Sequence, residues 1–210
     1  MLNGVGVRVM RSAGTGGDRA ARRGAKLAEV ALFLAISMAI VVGGLVTYRE
    51  ASVAATVGAQ VQVLTAVMAE SRAALARFDM SGGRLDTILL ASNAVPAKIV
   101  APEPFPYGSR LRTEWDTELA IGLADLGAGP RLFLRLHDIP VPGCTRLAPA
   151  QAGGQGVFAT GLRAISVQGP GTAADAGPPP WSVSRTAELC SNAGAGPEGR
   201  VTVTFQFDPY

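Results

Sequence analysis

The sequence contains few of the side chains on which catalytic and metal-binding sites usually depend. Its 210 residues include two cysteines and a single histidine, His137. The cysteines are 46 positions apart, which is not the spacing of zinc ligands. The sequence patterns of α/β-hydrolases, zinc peptidases and phosphate-binding loops do not occur. We therefore predict that the chain is not an enzyme and needs no cofactor or metal, with His137 as a surface or packing residue on a strand.

Charged and aromatic residues are also scarce. Charged residues make up 17% of the chain, below the usual fraction of about a quarter, and aromatic residues make up 6%. Glycine (26 residues) and proline (14 residues) are plentiful instead. This composition excludes a coiled coil, a disordered acidic tail and a membrane protein with many spans. The length suits one domain, or one domain with an appendage.

The positive charge of the chain is confined to its first 24 residues. The net charge is +3, and residues 1–24 hold five arginines against one aspartate. Residues 25–210 therefore carry 14 basic and 15 acidic side chains. Beyond residue 24 there is no cluster of lysine and arginine interleaved with aromatic residues, which is the pattern of nucleic-acid binders. We predict no direct binding of nucleic acid.

One long apolar run follows the basic segment. From Val30 to Tyr48 there are 19 consecutive residues without a formal charge. As a helix they would extend about 29 Å, close to the hydrocarbon thickness of a bilayer. The apolar part of a secretory signal is shorter, and no convincing cleavage site of small residues follows here. We predict a transmembrane segment over 30–48, with the preceding arginines held in the cytoplasm.

Glu29 stands at the start of this apolar run. Two interpretations are open. A carboxylate at a membrane interface costs little free energy and implies no function, whereas a carboxylate that enters an apolar environment needs a cationic partner. A cut after Gly24 would supply one, because Ala25 would gain a free α-ammonium group. Glu29 would then be the fifth residue of the mature chain.

Together these features resemble the signature of type IV prepilins: a basic leader, a glycine, a cut, four residues, a glutamate and an apolar run. The leader of 24 residues is similar to the long leaders of the type IVb subclass. Looser matches to the type IVb pilins of thin or conjugative pili continue along the chain at Gly83–Thr87, Asn93–Pro96, Trp115, Ile139-Pro140, Cys144–Leu147, Cys190–Asn192 and Val201–Phe207.

The resemblance implies a structural subunit of a type IV, IVb-like pilus. A prepilin peptidase would cut after Gly24, and the subunits would form a homopolymer through their N-terminal helices. Glu29 would neutralise the Ala25 amine of a neighbouring subunit. The precursor would lie in the bacterial inner membrane with its head in the periplasm. An assembly platform and ATPase would then build it into an extracellular pilus, of the kind that serves adhesion, conjugation, DNA uptake or twitching.

Two positions depart from the family pattern and keep alternatives open. Ala25 stands where a bulky apolar residue is usual, and Lys26 is unusual at the second mature position. A minor pilin, or a pseudopilin of a type II secretion or DNA-uptake system, is the first alternative. The second is a signal-anchored periplasmic binding module that never polymerises.

The later half of the apolar region has a helical period. Apolar residues recur three, four or seven positions apart, and Ser71 fills the one missing position; they are Val57, Val61, Leu64, Met68, Leu75 and Phe78. We predict one helix over 25–78 that is apolar all round at first and one-sided later. The alternative is a transmembrane helix joined to a separate coiled coil. Gly43-Gly44 would permit either a bend or close helix packing.

The remainder predicts a loop-rich α+β head. We divide the chain into a leader (1–24), a long helix (25–80) and a globular head (81–210). The predicted elements are a short helix at Leu85–Ser92, an irregular connection at Ala101–Gly108, strands at Glu118–Leu123, Leu132–His137, Leu162–Val167 and Val201–Phe207, and loops at 151–156 and 169–180. We expect an antiparallel sheet packed on the later half of the long helix.

Cys144 and Cys190 both fall in the part of the chain that would be exported. An oxidising periplasm favours a disulfide between them, and two buried free thiols are the alternative. In pilins such a bridge delimits the D-region, whose surface varies and makes subunit contacts. By this resemblance, residues 144–190 are predicted to be the D-region.

Three acidic residues alternate along one short segment. Glu114, Asp116 and Glu118 would share one face of a strand. Such a face could bind a cation or simply be solvated. We favour the solvated face.

Overall fold

A computed structural model of the chain describes residues 17–78, 83–125, 129–152, 161–170, 173–175, 181–194 and 199–208, with the backbone alone at 17–28, 125 and 150–152. The chain divides into two compact units, Met1–Glu50 and Ala51–Tyr210. The described elements are α1 (Gly17–Arg77), β1 (Gly83–Arg84), α2 (Leu85–Ala91), β2 (Leu111–Arg112), β3 (Glu118–Asp125), β4 (Pro130–Pro140), α3 (Val141–Ala152), β5 (Leu162–Gln168), β6 (Ala173–Asp175), α4 (Val183–Ala193) and β7 (Arg200–Phe207).

The long helix predicted over 25–78 is present as α1, which is 61 residues long and begins earlier, at Gly17. No proline occurs within it, and alanine and leucine, both strong helix formers, are frequent. Gly43, Gly44 and Gly58 do not interrupt it. Phe78, predicted to face the head, lies just beyond the helix end and is 52% exposed.

The strands form one antiparallel sheet. Among the described residues it has seven strands, in the order β1-β3-β4-β7-β5-β6, with β2 also paired to β3. The C-terminal strand β7 lies between β4 and β5, so the end of the chain contributes to the middle of the sheet. The four strands predicted from the sequence are confirmed as β3, β4, β5 and β7. β6 is a strand inside the segment 169–180 that was predicted to be loop.

Alternation explains why these four strands pack so well. On one face of the sheet, three rows of apolar side chains cross β3, β4, β7 and β5. The rows are Leu119–Leu136–Val203–Val167, Ile121–Leu134–Phe205–Ile165 and Leu123–Leu132–Phe207–Leu162. All twelve side chains are buried. This face forms a single core cluster with the buried side chains of α1 from Val57 onward.

The face of α1 that joins this core is broader than the period predicted. Val57, Leu64, Met68, Ser71 and Leu75 are buried as expected. The cluster also takes in apolar residues outside that series, namely Val63, Val67 and Ala74. Two polar residues of α1, Gln60 and Ser71, are buried with them. A packed α+β head with its helix on one sheet face is thus present.

Two helices of the head were not predicted from the sequence. α3 follows β4 directly and contains Pro149, and it reaches Ala152, inside the segment 151–156 predicted to be loop; residues 153–156 lie outside the described part. Gly143 is required in its first turn, because a Cβ there would come within 2.6 Å of the Trp115 ring. α4 begins after Ser182, whose hydroxyl accepts a hydrogen bond from the Arg185 backbone N–H at 3.2 Å.

Candidate functional site

The first feature with functional meaning is the exposed apolar part of α1. The large apolar side chains between Val30 and Tyr48 are 52% to 72% exposed. The described residues contain one helix that is long and apolar enough to cross a membrane, with a mean hydropathy of 2.5 over 18 residues, none of them buried. The core helix of a soluble protein would be mostly buried, so the exposure of this segment is compatible with a membrane-anchored protein.

Two hydroxyl groups of this segment, those of Ser37 and Thr47, are satisfied within the helix itself. The Ser37 hydroxyl donates to the Phe33 carbonyl at 2.8 Å, and the Thr47 hydroxyl donates to the carbonyls of Gly43 and Gly44 at 3.1 and 3.0 Å. In a medium without water, every such donor must find an internal partner. The segment therefore meets the chemical requirements of a bilayer or of a packed helical interior.

The residues predicted to act in processing and assembly lie in the same helix. Gly24 and Ala25 are within α1, and only their backbone is described. Glu29 is also in α1, and its side chain is exposed at the edge of the apolar segment. The predicted pairing of Glu29 with an amine involves a second chain, so it stays a prediction, as does cleavage after Gly24.

The two cysteines are bonded to each other, as predicted. The Cys144–Cys190 disulfide joins the first turn of α3 to the later part of α4, with the two Cα atoms 5.8 Å apart. Both cysteines are fully buried. Apolar and small residues at helical spacing in α4, namely Thr186, Cys190 and Ala193, form its buried face. That spacing was the signal from which α4 could have been predicted.

The three acidic residues do not share one solvated strand face. Glu114 and Asp116 lie in the turn before β3, where Asp116 has a φ of 57° and pairs with Arg112 at 3.4 Å. Glu114 pairs with Lys98 at 3.0 Å. Glu118 opens β3 and is only 3% exposed. The prediction of a solvated face is therefore wrong for Glu118. Among the described residues, no group of three acidic, histidine or cysteine side chains is placed to hold a metal ion.

Glu118 holds the loop before β2 against the sheet. Its carboxylate accepts hydrogen bonds from the backbone N–H groups of Tyr107 and Ser109 at 3.0 and 2.9 Å. Such bonds to an ionised acceptor are among the stronger ones in proteins. Arg84 fixes the same loop from the other side, since its Nη1 donates to the Tyr107 carbonyl at 3.0 Å. Its hydrogen bonds to the buried Asp86 carboxylate raise the pKa of Arg84.

His137 lies beneath this loop. Its ring stacks on that of Tyr107, with the centroids 4.1 Å apart and the planes at 17°. Leu136 and His137 are both buried although they lie on opposite faces of β4, because Tyr107 covers His137 on the outer face. A bulge at Asp138, whose φ is 55°, then shifts the register so that Ile139 is buried. Burial lowers the pKa of His137 and outweighs the opposite effect of Glu118. His137 is thus a packing residue, as its place on a strand suggested.

No protein-family model, no curated protein and no solved structure matches this chain. The architecture itself is compatible with a pilin-like fold. A long apolar N-terminal helix packs through its later part on an antiparallel sheet, and one disulfide ties two helices of the head.

Proposed function

We propose that the chain is a structural subunit of a type IV pilus of the IVb-like subclass, cut after Gly24 and polymerised through the apolar part of α1. One observation carries this proposal. The helix whose later half belongs to the core of the head presents, from Val30 to Tyr48, an apolar surface that is exposed all round. A membrane would cover this surface before assembly, and neighbouring copies of the same helix would cover it afterwards.

The position of Glu29 supports a role in setting how the helices pack. It is the last charged residue before the apolar segment, and a carboxylate drawn into an apolar bundle needs a cation. The α-ammonium group of a processed Ala25 on a neighbouring subunit would be that cation. Each subunit would then offer both partners, so that one pairing rule would extend along a whole filament.

The same proposal defines the partners and the location. The chain would meet a prepilin peptidase, an assembly platform and its ATPase at the bacterial inner membrane, with the head in the periplasm. It would end in an extracellular homopolymer. A head that carries nearly balanced charge, as residues 25–210 do, avoids strong repulsion between close copies.

Ala25 and Lys26 depart from the pattern of the family and therefore favour a second candidate, which is also a pilin-like protein. A minor pilin or a pseudopilin would share the fold and the processing but would enter filaments in small numbers. The amount of the chain in sheared filaments distinguishes these cases, because a major subunit dominates such a preparation.

The first test is the N-terminus of the chain in cells with and without a prepilin peptidase. We expect the mature chain to begin at Ala25, with a methylated amine, only when the peptidase is present, as read by mass spectrometry of the N-terminal peptide. A chain that keeps Met1, or that is cut beyond residue 45, would refute the pilin proposal and leave a signal-anchored binding module.

The second part of that test uses Glu29→Ala with Glu50→Ala as its matched control. Glu50 is the acidic residue at the other end of the apolar segment. We expect both variants to insert in the membrane, and only Glu29→Ala to lose filaments. Normal yields of sheared filaments from Glu29→Ala would contradict the proposed pairing.

A further inference from the structure

The outer face of the sheet carries a cavity that the assembly function does not use. It has a volume of about 300 Å³ and lies on the sheet face opposite the three apolar rows. Its lining includes Arg84, Tyr107, Arg135, His137, Gln168 and Thr202. A volume near 300 Å³ is at the lower end of the range for small-molecule sites. The lining combines a cation, an exposed aromatic ring, an amide and a hydroxyl group.

Arg135 supplies an uncompensated positive charge to this cavity. Its Nε donates to the Thr204 hydroxyl at 3.1 Å, and its guanidinium carbon lies 5.5 Å from the centre of the Phe133 ring. Within the described part of the chain, no carboxylate lies within ion-pair distance of it. Its cross-strand neighbours are the small residues Ala120 and Thr204. The guanidinium is therefore oriented, half-buried and not neutralised.

Arg84, the second arginine of the lining, does not compete for the same role. It pairs with the buried carboxylate of Asp86 and donates to the Tyr107 carbonyl. Its charge is thus matched within the protein. The cavity consequently favours a ligand with one negative charge, placed at Arg135. The fork of N–H donors in a guanidinium fits a carboxylate especially well.

Tyr107 provides a fixed aromatic wall. One stacking contact with His137 and three backbone hydrogen bonds hold its loop, two to Glu118 and one from Arg84. Tyr107 as a whole residue is nevertheless 68% exposed, although the stacked His137 covers one face of its ring. A platform that is ordered before binding loses little entropy when a ligand arrives. Such a ring suits a ligand that has an apolar face of C–H groups.

We propose that this cavity binds an acidic sugar unit. The sugar carboxylate pairs with Arg135, the C–H face of the ring lies on Tyr107, and hydroxyl groups meet the Gln168 amide and the Thr202 hydroxyl. The inference goes beyond the assembly function and does not depend on it. A filament subunit with this site carries it on every copy, and an anchored monomer carries it once.

The experiment measures ligand binding to the full chain by saturation-transfer NMR, in a detergent with neither sugar nor phosphate groups. The probes are glucuronate, glucose, acetate and inorganic phosphate. We expect glucuronate to bind at least about tenfold more tightly than glucose, the factor that 1.4 kcal/mol represents. Acetate and phosphate should displace it only at much higher concentration. Equal displacement by either ion would reduce the site to a simple anion site and overturn the sugar assignment.

Variants link the binding to the proposed contacts. Arg135→Gln should weaken glucuronate binding about tenfold and leave glucose binding unchanged. Arg131→Gln is the matched control, since Arg131 lies on the same face of β4 but not in the cavity. Arg135→Lys keeps the positive charge but lacks the paired N–H donors of the guanidinium, so it should retain only part of the preference for glucuronate over glucose. This variant tests the site even if the glutamine variant does not fold. Absence of glucuronate binding, or equal binding by the Arg135 variants and wild type, would refute the site.

Discussion

The two halves of α1 are parts of one helix, yet their side chains meet opposite environments. Between Val30 and Tyr48 the large apolar side chains are at least half exposed. In the later half, Leu64, Val67 and Ser71 are fully buried in the head. Both halves are rich in apolar residues, so apolar content alone does not decide whether a helix is buried. The arrangement of the polar residues decides it.

The polar residues of the later half show how this works. Several of them, such as Gln62 and Glu70, are exposed, and the apolar residues between them form a face for the sheet. Gln60 faces the head and is only half satisfied there: its side-chain oxygen accepts a hydrogen bond from the Glu114 backbone N–H at 2.6 Å, while its buried amide nitrogen has no hydrogen-bond partner among the described residues. The earlier half has no polar side to turn toward water. Its uniform pattern therefore predicts an apolar environment outside the head.

Removing the disulfide should produce the largest difference between the two halves. Replacing Cys144 and Cys190 by serine releases a constraint across 46 positions of the chain. The gain of chain entropy in the unfolded state predicts about 4 kcal/mol less free energy of unfolding for the head. Urea denaturation in detergent measures it through the fluorescence of Trp115 and Trp181, both of which lie in the unit Ala51–Tyr210. Membrane insertion should be unchanged.

The wild-type protein treated with a reductant is the control for the serine variant, and both should unfold at the same urea concentration. A loss of stability below about 1 kcal/mol would mean that the head does not depend on the bridge. Loss of membrane insertion in the serine variant would mean that the two halves are not independent.

A matched pair of leucine substitutions tests the comparison next. Leu64 is fully buried, and Leu34 is 57% exposed. Leu64→Ala should lower the free energy of unfolding of the head by about 2–5 kcal/mol, because it leaves a cavity in the core. Leu34→Ala should change it by less than about 0.5 kcal/mol in the same detergent. Similar losses in both variants would show that the apolar segment packs within the monomer.

The elements that could be predicted from the sequence are those in which apolar residues recur at the period of a helix or a strand. Alternation predicted β4 and β7, and the helical period predicted the face of α1. The strands expected at Glu118–Leu123 and Leu162–Val167 were weaker predictions, which the structure confirms as β3 and β5. α3 was missed because Gly143 and Pro149 oppose a helix by local preference. α4 was missed although its buried residues recur at helical spacing, and the disulfide joins the two helices across a long separation in the chain. Three strands have only two or three residues each, namely β1, β2 and β6. They are too short to show a period in the sequence, and only their pairing with a neighbouring strand defines them.

The candidate sites divide in the same way. The disulfide was predictable because the chain has two cysteines and both lie in the part expected to be exported. Glu29 was visible because it stands directly before a charge-free segment of 19 residues. The burial of Glu118 was not predictable, because its partners are backbone groups of a loop about ten residues away. The cavity at Arg135 has no local signature, since it needs strands and a loop that only the fold brings together.

The smallest expected effect concerns pH, and it should be confined to the head. Burial lowers the pKa of His137 below its ordinary value of 6.5, against the opposing influence of Glu118 and Asp138. The unfolded chain therefore binds a proton at His137 before the folded chain does. As the pH falls through 6.5 toward the lowered pKa, the free energy of unfolding should decrease, and above 6.5 this contribution is fully present.

His137→Phe isolates this contribution, because phenylalanine can keep the stack on Tyr107 but does not titrate. We expect the wild type to lose more stability than the variant between pH 7.5 and pH 5, as measured by urea denaturation at each pH. Carboxylates titrate in both proteins, so only the difference between the two losses reports on His137. Equal losses would mean that His137 titrates alike in the folded and unfolded chains. A larger loss in the variant would contradict the prediction. It would mean that the folded protein stabilises the protonated ring, with Glu118 as the acidic neighbour.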